Sequence, residues 1–470
     1  MATETATATA TANGRASQLR IHLISKSDDL QLPPGTGPIL VSTDLRRYQL
    51  STLVNRLLET EQAIPLEFLV NGQFLRTSLD EFLTQNGISA ETTLSVEYVK
   101  ALLPPLNVTS YEHDDWVSSV DVRSSSRFSD LSSSDNRIIS GSYDGILRVW
   151  NLSSQVSAEG SSHSASVKSA RWVSANQIAS SGVDRTVRLW KYAENDGSDA
   201  TLSPTLELYG HTASVDGLSA HKQSSRILSA SADGTVGFWS TKKTDAPAAP
   251  ENLLATANKR RKISSSGKPT PQRGPLSLLK GHTAQVSSVT FDENDPTVAY
   301  SASWDHNVKT WDLTTSSCVD TRTTAQSLFS LCHLPEASLL ATGTAARHIT
   351  LVDPRASATS ITAMTLRGHT NAVVSVERDP ASSYRLVSGS HDGTCRVWDI
   401  RSVRNEAADR IGEAVYVINR ESAEGAKKRS NVSGDGFKVF DVCWDRDVGI
   451  VAGGEDKKLQ INTTESSQSH

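Results

Sequence analysis

No stretch of this 470-residue chain approaches the roughly eighteen consecutive apolar residues that a membrane-spanning helix needs. Cysteine is scarce: Cys318, Cys332, Cys395 and Cys443 lie far apart, with no CxxC and no histidine pair at ligand spacing. That argues against both a zinc site and a disulfide framework, and the four read as small buried hydrophobes of a reducing compartment. An excess of one charge is also missing. With 47 Lys and Arg against 52 Asp and Glu, the net charge is −5, so no global field draws the molecule to nucleic acid or to an anionic membrane. The opening "MATETATATATANGRAS" has no apolar core of the signal-peptide kind, and secretion is not expected. Residues 1–17 read as a disordered Ala/Thr tail.

Against these absences stands a repeat. "SGSYDGILRVWNL" (140–152), "SSGVDRTVRLWKY" (180–192), "SASADGTVGFWST" (229–241), "SASWDHNVKTWDL" (301–313) and "SGSHDGTCRVWDI" from Ser388 align without gaps. In each, an aspartate stands six residues before a tryptophan: Asp144/Trp150, Asp184/Trp190, Asp233/Trp239, Asp305/Trp311 and Asp392/Trp398. Alternating apolar positions after an Asp-Gly-type turn mark a strand entered from a tight hairpin. A histidine precedes most units, at His163, His211, His282 and His369, and less clearly at His113. These marks resemble the WD-repeat signature. Two further units are eroded. "TGTAARHITLVDP" has Ala346 and Val352 where Asp and Trp belong, and "GGEDKKLQINT" keeps Asp456 but carries Asn462 in place of the tryptophan. Five clear and two eroded units predict a mostly β chain with a seven-bladed propeller over 111–465. The "DDWVSSVDV" segment would supply inner strands of the first blade, and 453–463 would finish the ring.

Serine, histidine and aspartate recurring together could suggest a hydrolase triad. Repetition argues otherwise: an enzyme needs one triad, whereas a scaffold needs one hydrogen-bonded brace per blade. "SSSGKPTP" (264–271) lacks the upstream strand and following helix of a phosphate loop. The chain does not read as an enzyme, and no cofactor of its own is expected.

Tryptophans 239 and 311 are 72 residues apart, against 40 for Trp150 and Trp190. The excess, about 242–275, is a Pro-, Ser- and Lys/Arg-rich insert expected to be a disordered loop between blades three and four. Within it Lys259, Arg260, Arg261 and Lys262 form a compact basic run suited to nuclear import. A second loop is expected at about 401–436. Neither interleaves aromatics with cations, so direct RNA binding has little support.

Residues 18–100 carry none of the repeat marks. "QLRIHLIS" and "PILVST" alternate like strands, and Leu50, Leu53, Val54, Leu57 and Leu58 have helical spacing. "LEFLVNGQFLR" predicts a hairpin at Asn71-Gly72, "TSLDEFLTQNG" a short helix with Ser78 as N-cap and Gly87 past its end, and "TTLSVEYV" a last strand. The order ββαββαβ is that of a ubiquitin-like β-grasp, joined by a linker at 101–110 to the repeats.

A β-grasp block followed by WD units resembles the Ytm-type ribosome biogenesis proteins, whose N-terminal module is the NLE domain. The resemblance rests on "LVNGQFLRTSL", "DDWVSSVDV", "ANKRRK", "PLSLLKGHTA", "CVDTRTT" and "ARHITLVDPR". It implies a nuclear, nucleolar and nucleoplasmic factor of large (60S) subunit assembly, needed for pre-rRNA processing on the 5.8S/25S-28S branch and acting on the pre-60S particle. It further implies a trimer with a pescadillo-type protein and a block-of-proliferation-type WD protein, the latter held by the propeller. The NLE domain would dock on the adhesion site of the AAA ATPase midasin, which removes the trimer. In that family the donor is a glutamate in a Gly-hydrophobic-Ser-x-Glu turn, here Gly87-Ile88-Ser89-Ala90-Glu91. Glu91 would complete the shell of a Mg²⁺ ion held in trans by the partner. Asp80, Glu81 and Glu97 are rival carboxylates. The alternative function is a generic WD40 substrate receptor or adaptor of a ubiquitin ligase.

Overall fold

A computed structural model describes residues 18–26, 28–33, 36–60, 62–129, 131–132, 135–195, 198–221, 223–253, 270–356, 362–406, 409–424 and 436–463. The chain divides into two compact units, the first running to Leu102 and including Arg401–Arg404, the second formed by the rest.

The first unit is built on period-two and period-3.6 patterns that agree with the sequence reading. Strand β1 (Gln18–Ile24) hides Leu19 and Ile21 and exposes the residues between them. Strand β2 (Ile39–Ser42) pairs antiparallel with it. Helix α1 (Arg47–Leu57) buries Leu50 and Val54, one turn apart. Strands β3 (Leu66–Val70) and β4 (Gln73–Phe74) form the hairpin, with Asn71 at φ 52 and Gly72 at φ 78, the double left-handed pair of a type I′ turn. Helix α2 (Leu79–Asn86) starts at Ser78, whose hydroxyl accepts from Glu81 N–H at 3.3 Å. Strand β5 (Leu94–Lys100) returns through the middle, parallel to β1 and antiparallel to β3, giving the sheet order β2-β1-β5-β3-β4. Leu19, Ile21, Leu50, Val54, Phe68, Leu79, Phe82 and Val96 share one core, each side chain worth roughly 1.5–3 kcal/mol when fully buried.

The second unit consists, among the described residues, of seven four-stranded antiparallel units. Their innermost strands are Val117–Arg123, Val167–Ser174, Val215–His221, Val286–Phe291, Leu328–Leu334, Val373–Arg378 and Val439–Asp445. Each touches the next, and the last touches the first, so the inner strands make a closed ring. Apolar clusters lie between successive sheets. Ile139, Leu147 and Val149 of the first, for example, meet Val167, Trp172 and Ile178 of the second. The fifth and sixth units are joined by parallel pairing of Thr362–Arg367 with Asp409–Asn419 into one eight-stranded sheet.

Four expectations change. The outer strand of the last unit is Leu106–Glu112, paired antiparallel with Lys458–Thr463, so the second half of the expected 101–110 linker is sheet. Closing a ring of antiparallel blades by pairing its first strand with its last removes an open edge. The long insert falls inside the third unit, between Thr235–Ser240 and Ser277–Lys280, because a sequence repeat begins with the outer strand of the preceding blade. Its described ends are ordered: Gln272–Arg273 adds a parallel strand to the second sheet. Among the described residues, the expected 401–436 loop is largely the hairpin of Thr394–Glu406 and Asp409–Asn419, followed by the helical turn Glu421–Glu424. Extended backbone satisfies its polar groups by pairing where a loop would leave them to water.

Candidate functional site

The segment between α2 and β5 is rigidly specified. Gly87 ends α2 at φ 62, a left-handed conformation that a Cβ would strain. Its N–H donates to the carbonyls of Leu83 and Thr84, and Ile88 N–H donates to Leu83 O at 2.9 Å. Ile88 and Ala90 are half-buried against the core of the first unit. Thr92 Oγ1 donates to Ser89 O at 2.9 Å, and the Ser89 hydroxyl accepts from Glu91 N–H at 3.3 Å. Both ends of the turn are therefore tied down while the Glu91 side chain points into solvent. Among the described residues no cation pairs with it.

The rivals are placed differently. Glu97 is paired with Lys26 at 3.1 Å. Asp80 and Glu81 are exposed but occupy the first turn of α2, where a carboxylate complements the helix dipole. Glu67, which the sequence reading passed over, is buried between Arg47 at 3.2 Å and Arg76 at 3.1 Å. Among the described residues no cluster of three or more His, Cys, Asp or Glu could hold a metal ion. A lone, unpaired carboxylate on a stiff turn suits donation to a cation held elsewhere, since little ordering entropy remains to be lost.

The repeated residues form the braces expected of them, with one exception. In the second unit Trp190 Nε1–H donates to Ser180 Oγ at 2.7 Å, Ser180 meets His163 Nε2 at 2.7 Å, and His163 Nδ1 meets Asp184 at 2.9 Å. Trp239, Ser229, His211 and Asp233 repeat this chain, as do Trp311, Ser301, His282 and Asp305, and Trp398, Ser388, His369 and Asp392. Burial alone would raise the Asp184 carboxyl, but the bonds from His163 and Thr186 bring it down to about 2. In the first unit the chain is cut. His113 Nε2 meets Ser140 Oγ at 2.8 Å, yet Asp144 is taken by Arg148 at 2.7 Å, and among the described residues His113 Nδ1 is buried with no side-chain partner. Arg148 also reaches Asp114 at 2.8 Å, a partner 34 residues away that no local spacing announces.

Other features escaped the sequence reading. Trp116, Tyr143, Phe440 and His391 form a contiguous aromatic group with ring centroids 5.4–6.0 Å apart, and Lys168 Nζ lies 4.5 Å over Tyr143. The signal was available: Tyr143 and His391 stand immediately before the turn aspartates, as does Trp304, which meets Phe329 at 5.6 Å. The ring encloses a polar cavity of about 510 Å³, lined among others by Asp121, Arg127, Arg171, Glu377 and Asp441. The basic run Lys259, Arg260, Arg261 and Lys262 lies outside the described residues.

A β-grasp unit followed in the chain by a ring of WD sheets defines the class as an NLE-domain WD-repeat protein. Residues 19–83 match the NLE (NUC135) domain, and 106–151, 155–191, 202–240, 273–312 and 361–399 match the WD domain, G-beta repeat. The chain is 60% identical over 466 residues to "Ribosome biogenesis protein ytm1" of Neosartorya fischeri, covering 95% of each chain. It is 61% identical over 462 residues to the protein of that name from Ajellomyces capsulatus, covering 95% of this chain and 94% of that one. The chain belongs to the ytm1 family of ribosome biogenesis proteins.

Proposed function

We propose that this ribosome biogenesis factor is a nuclear and nucleolar scaffold of the pre-60S particle, bridging a protein complex to the motor that removes it. The ring holds a block-of-proliferation-type WD protein within a trimer that includes a pescadillo-type protein. The head docks on the Mg²⁺ adhesion site of a midasin-type AAA ATPase, with Glu91 as the donor. The observation that carries this reading is the Glu91 carboxylate, exposed and unpaired among the described residues, on a turn pinned at Gly87 and Ser89. Bound there, the ion would supply one open coordination position for a hard oxygen ligand. The partly exposed Trp116, grouped with Tyr143 and Phe440, supports a protein partner on the ring, since aromatic side chains dominate binding hot spots.

The test is a pull-down of the full chain with a midasin-type adhesion domain, with and without EDTA. Glu91→Ala should abolish capture while leaving the fold intact, and EDTA should do the same to the wild type. Glu91→Asp should fail too, because it withdraws the oxygens by about one C–C bond, ~1.5 Å, from a geometry-strict ion. Capture that survives both chelator and substitution would refute the assignment. A ubiquitin-ligase adaptor would instead co-purify with ligase subunits and ignore chelator.

A further inference from the structure

Thr270-Pro271-Gln272-Arg273 closes the insert of the third blade. Gln272–Arg273 lies parallel to Glu207–Leu208 on the outer edge of the second sheet. Few bonds hold this strap. Glu207 N–H donates to Pro271 O at 2.9 Å, Tyr209 N–H to Arg273 O at 2.8 Å, and Gly274 N–H to Pro247 O at 2.9 Å. Gln272 Nε2 donates to Glu207 at 3.2 Å, while among the described residues the Arg273 guanidinium reaches only backbone carbonyls, at 3.3 Å. All four residues are half-buried and none is in the core. Two-residue strands with no buried apolar side chain open at little cost in free energy.

The chemistry of the strap is specific. A hydroxyl is followed at once by a residue with no N–H and a fixed φ, and three positions later by a cation. That is the pattern read by proline-directed serine/threonine kinases with a preference for a basic residue at the third position. We propose that Thr270 is a phosphate acceptor for such a kinase and that phosphorylation detaches the strap from the second sheet. Thr270 Oγ1 attacks the γ-phosphorus of ATP. The Oγ1–P bond forms, the bond to ADP breaks, and the hydroxyl proton passes to the kinase's catalytic carboxylate.

The product carries about −1.5 to −2 charges. Along an extended chain Thr270 and Gln272 share a face, and Gln272 sits on the Glu207 carboxylate. Glu207 already takes Arg188 at 2.8 Å and the Tyr209 hydroxyl at 3.0 Å, so the new charge meets a carboxylate whose cation is engaged. Repulsion then favours the open strap. The chain supplies its own control. Ser203-Pro204 also pairs a hydroxyl with proline, but Ser203 is inside the strand Ser198–Leu208 opposite Lys191, and the residue three further on is the buried Leu206.

The experiment incubates the full chain with a purified cyclin-dependent kinase and ATP, maps phosphate by mass spectrometry, and follows amide hydrogen exchange before and after. One phosphate at Thr270 is expected, lost in Thr270→Val and kept in Ser203→Ala, with incorporation about tenfold slower in Arg273→Ala. The Glu207 and Tyr209 amides should exchange roughly tenfold faster in the phosphorylated chain. The proposal is overturned if Thr270 stays unmodified while other sites are filled, if Arg273→Ala is modified at the wild-type rate, or if full modification leaves both amides equally protected.

Discussion

Replacing Arg420 by methionine should damage the ring more than any surface change. The seventh unit has neither a brace histidine nor a brace tryptophan, carrying Asn462 where the tryptophan belongs, and the guanidinium of Arg420 serves instead. It is 1% exposed and meets Asp456 through two nitrogens, at 3.0 and 2.6 Å. It also donates to Ala452 O at 2.9 Å and Lys458 O at 2.6 Å, tying together the second and third strands of the blade that closes the ring. Arg420→Met leaves the Asp456 carboxylate, 4% exposed, with Ser422 Oγ at 2.9 Å as its side-chain partner. Removing one member of such a pair costs about 3–5 kcal/mol, because a buried charge is left uncompensated. Replacing both, as Arg420→Met with Asp456→Leu, should recover most of that loss. Glu293→Gln, which breaks the more exposed Arg378–Glu293 pair, should cost less than ~1 kcal/mol. All nine tryptophans follow residue 115, so their fluorescence in a urea titration reports the ring and not the head. With the slope unchanged, the midpoint shift gives the cost. If Arg420→Met unfolds within ~1 kcal/mol of the wild type, or the double variant is as unstable as the single, the Arg420 brace is not what holds this blade.

Two further outcomes follow from buried groups. Burial, with Arg148 adding to it, pulls the His113 imidazole from 6.5 to about 4. The unfolded chain binds that proton more tightly, so the contribution is fully present above about pH 6.5 and is lost as pH falls toward 4, a drop of roughly 3 kcal/mol. His113→Gln should flatten the decline of ring stability across that window, though His282 and His369, also lowered by burial, keep part of it; an unchanged slope would contradict the linkage. For the thiols, Cys318 is exposed whereas Cys332, Cys395 and Cys443 are buried, and burial pushes all three buried thiols up. Ellman's reagent should therefore titrate one thiol quickly in the native chain and four in urea, and a second fast thiol would show that a blade opens readily.

Local motifs were legible because their chemistry is local. Asn71-Gly72 could only be a tight hairpin, Ser78 could cap and Gly87 could stop the helix between them, and the six-residue Asp–Trp spacing returned four complete braces. The turn that presents Glu91 was visible for the same reason, through Gly87 and Ser89. What separates Glu91 from its rivals was not visible. Glu97 is engaged by Lys26, and Glu67 by Arg47 and Arg76, pairings made between elements that only folding brings together. The eroded seventh unit looked like a loss of bracing, yet Arg420, 36 residues before Asp456, supplies it from a segment expected to be loop.

Sequence alone determined the two kinds of folded unit, the hairpin phase of the repeats, and the turn between Gly87 and Glu91, since each follows from backbone preferences and side-chain periodicity over a dozen residues or fewer. Only the tertiary structure decided that Asp144 leaves His113 for Arg148, that Leu106–Glu112 completes the last blade, and that Thr270 ends a strap on the sheet of another blade. Those outcomes depend on competition between partners that meet only once the ring has closed. A carboxylate then goes to the nearest unsatisfied cation, and an edge to the nearest free strand, whatever their separation along the chain.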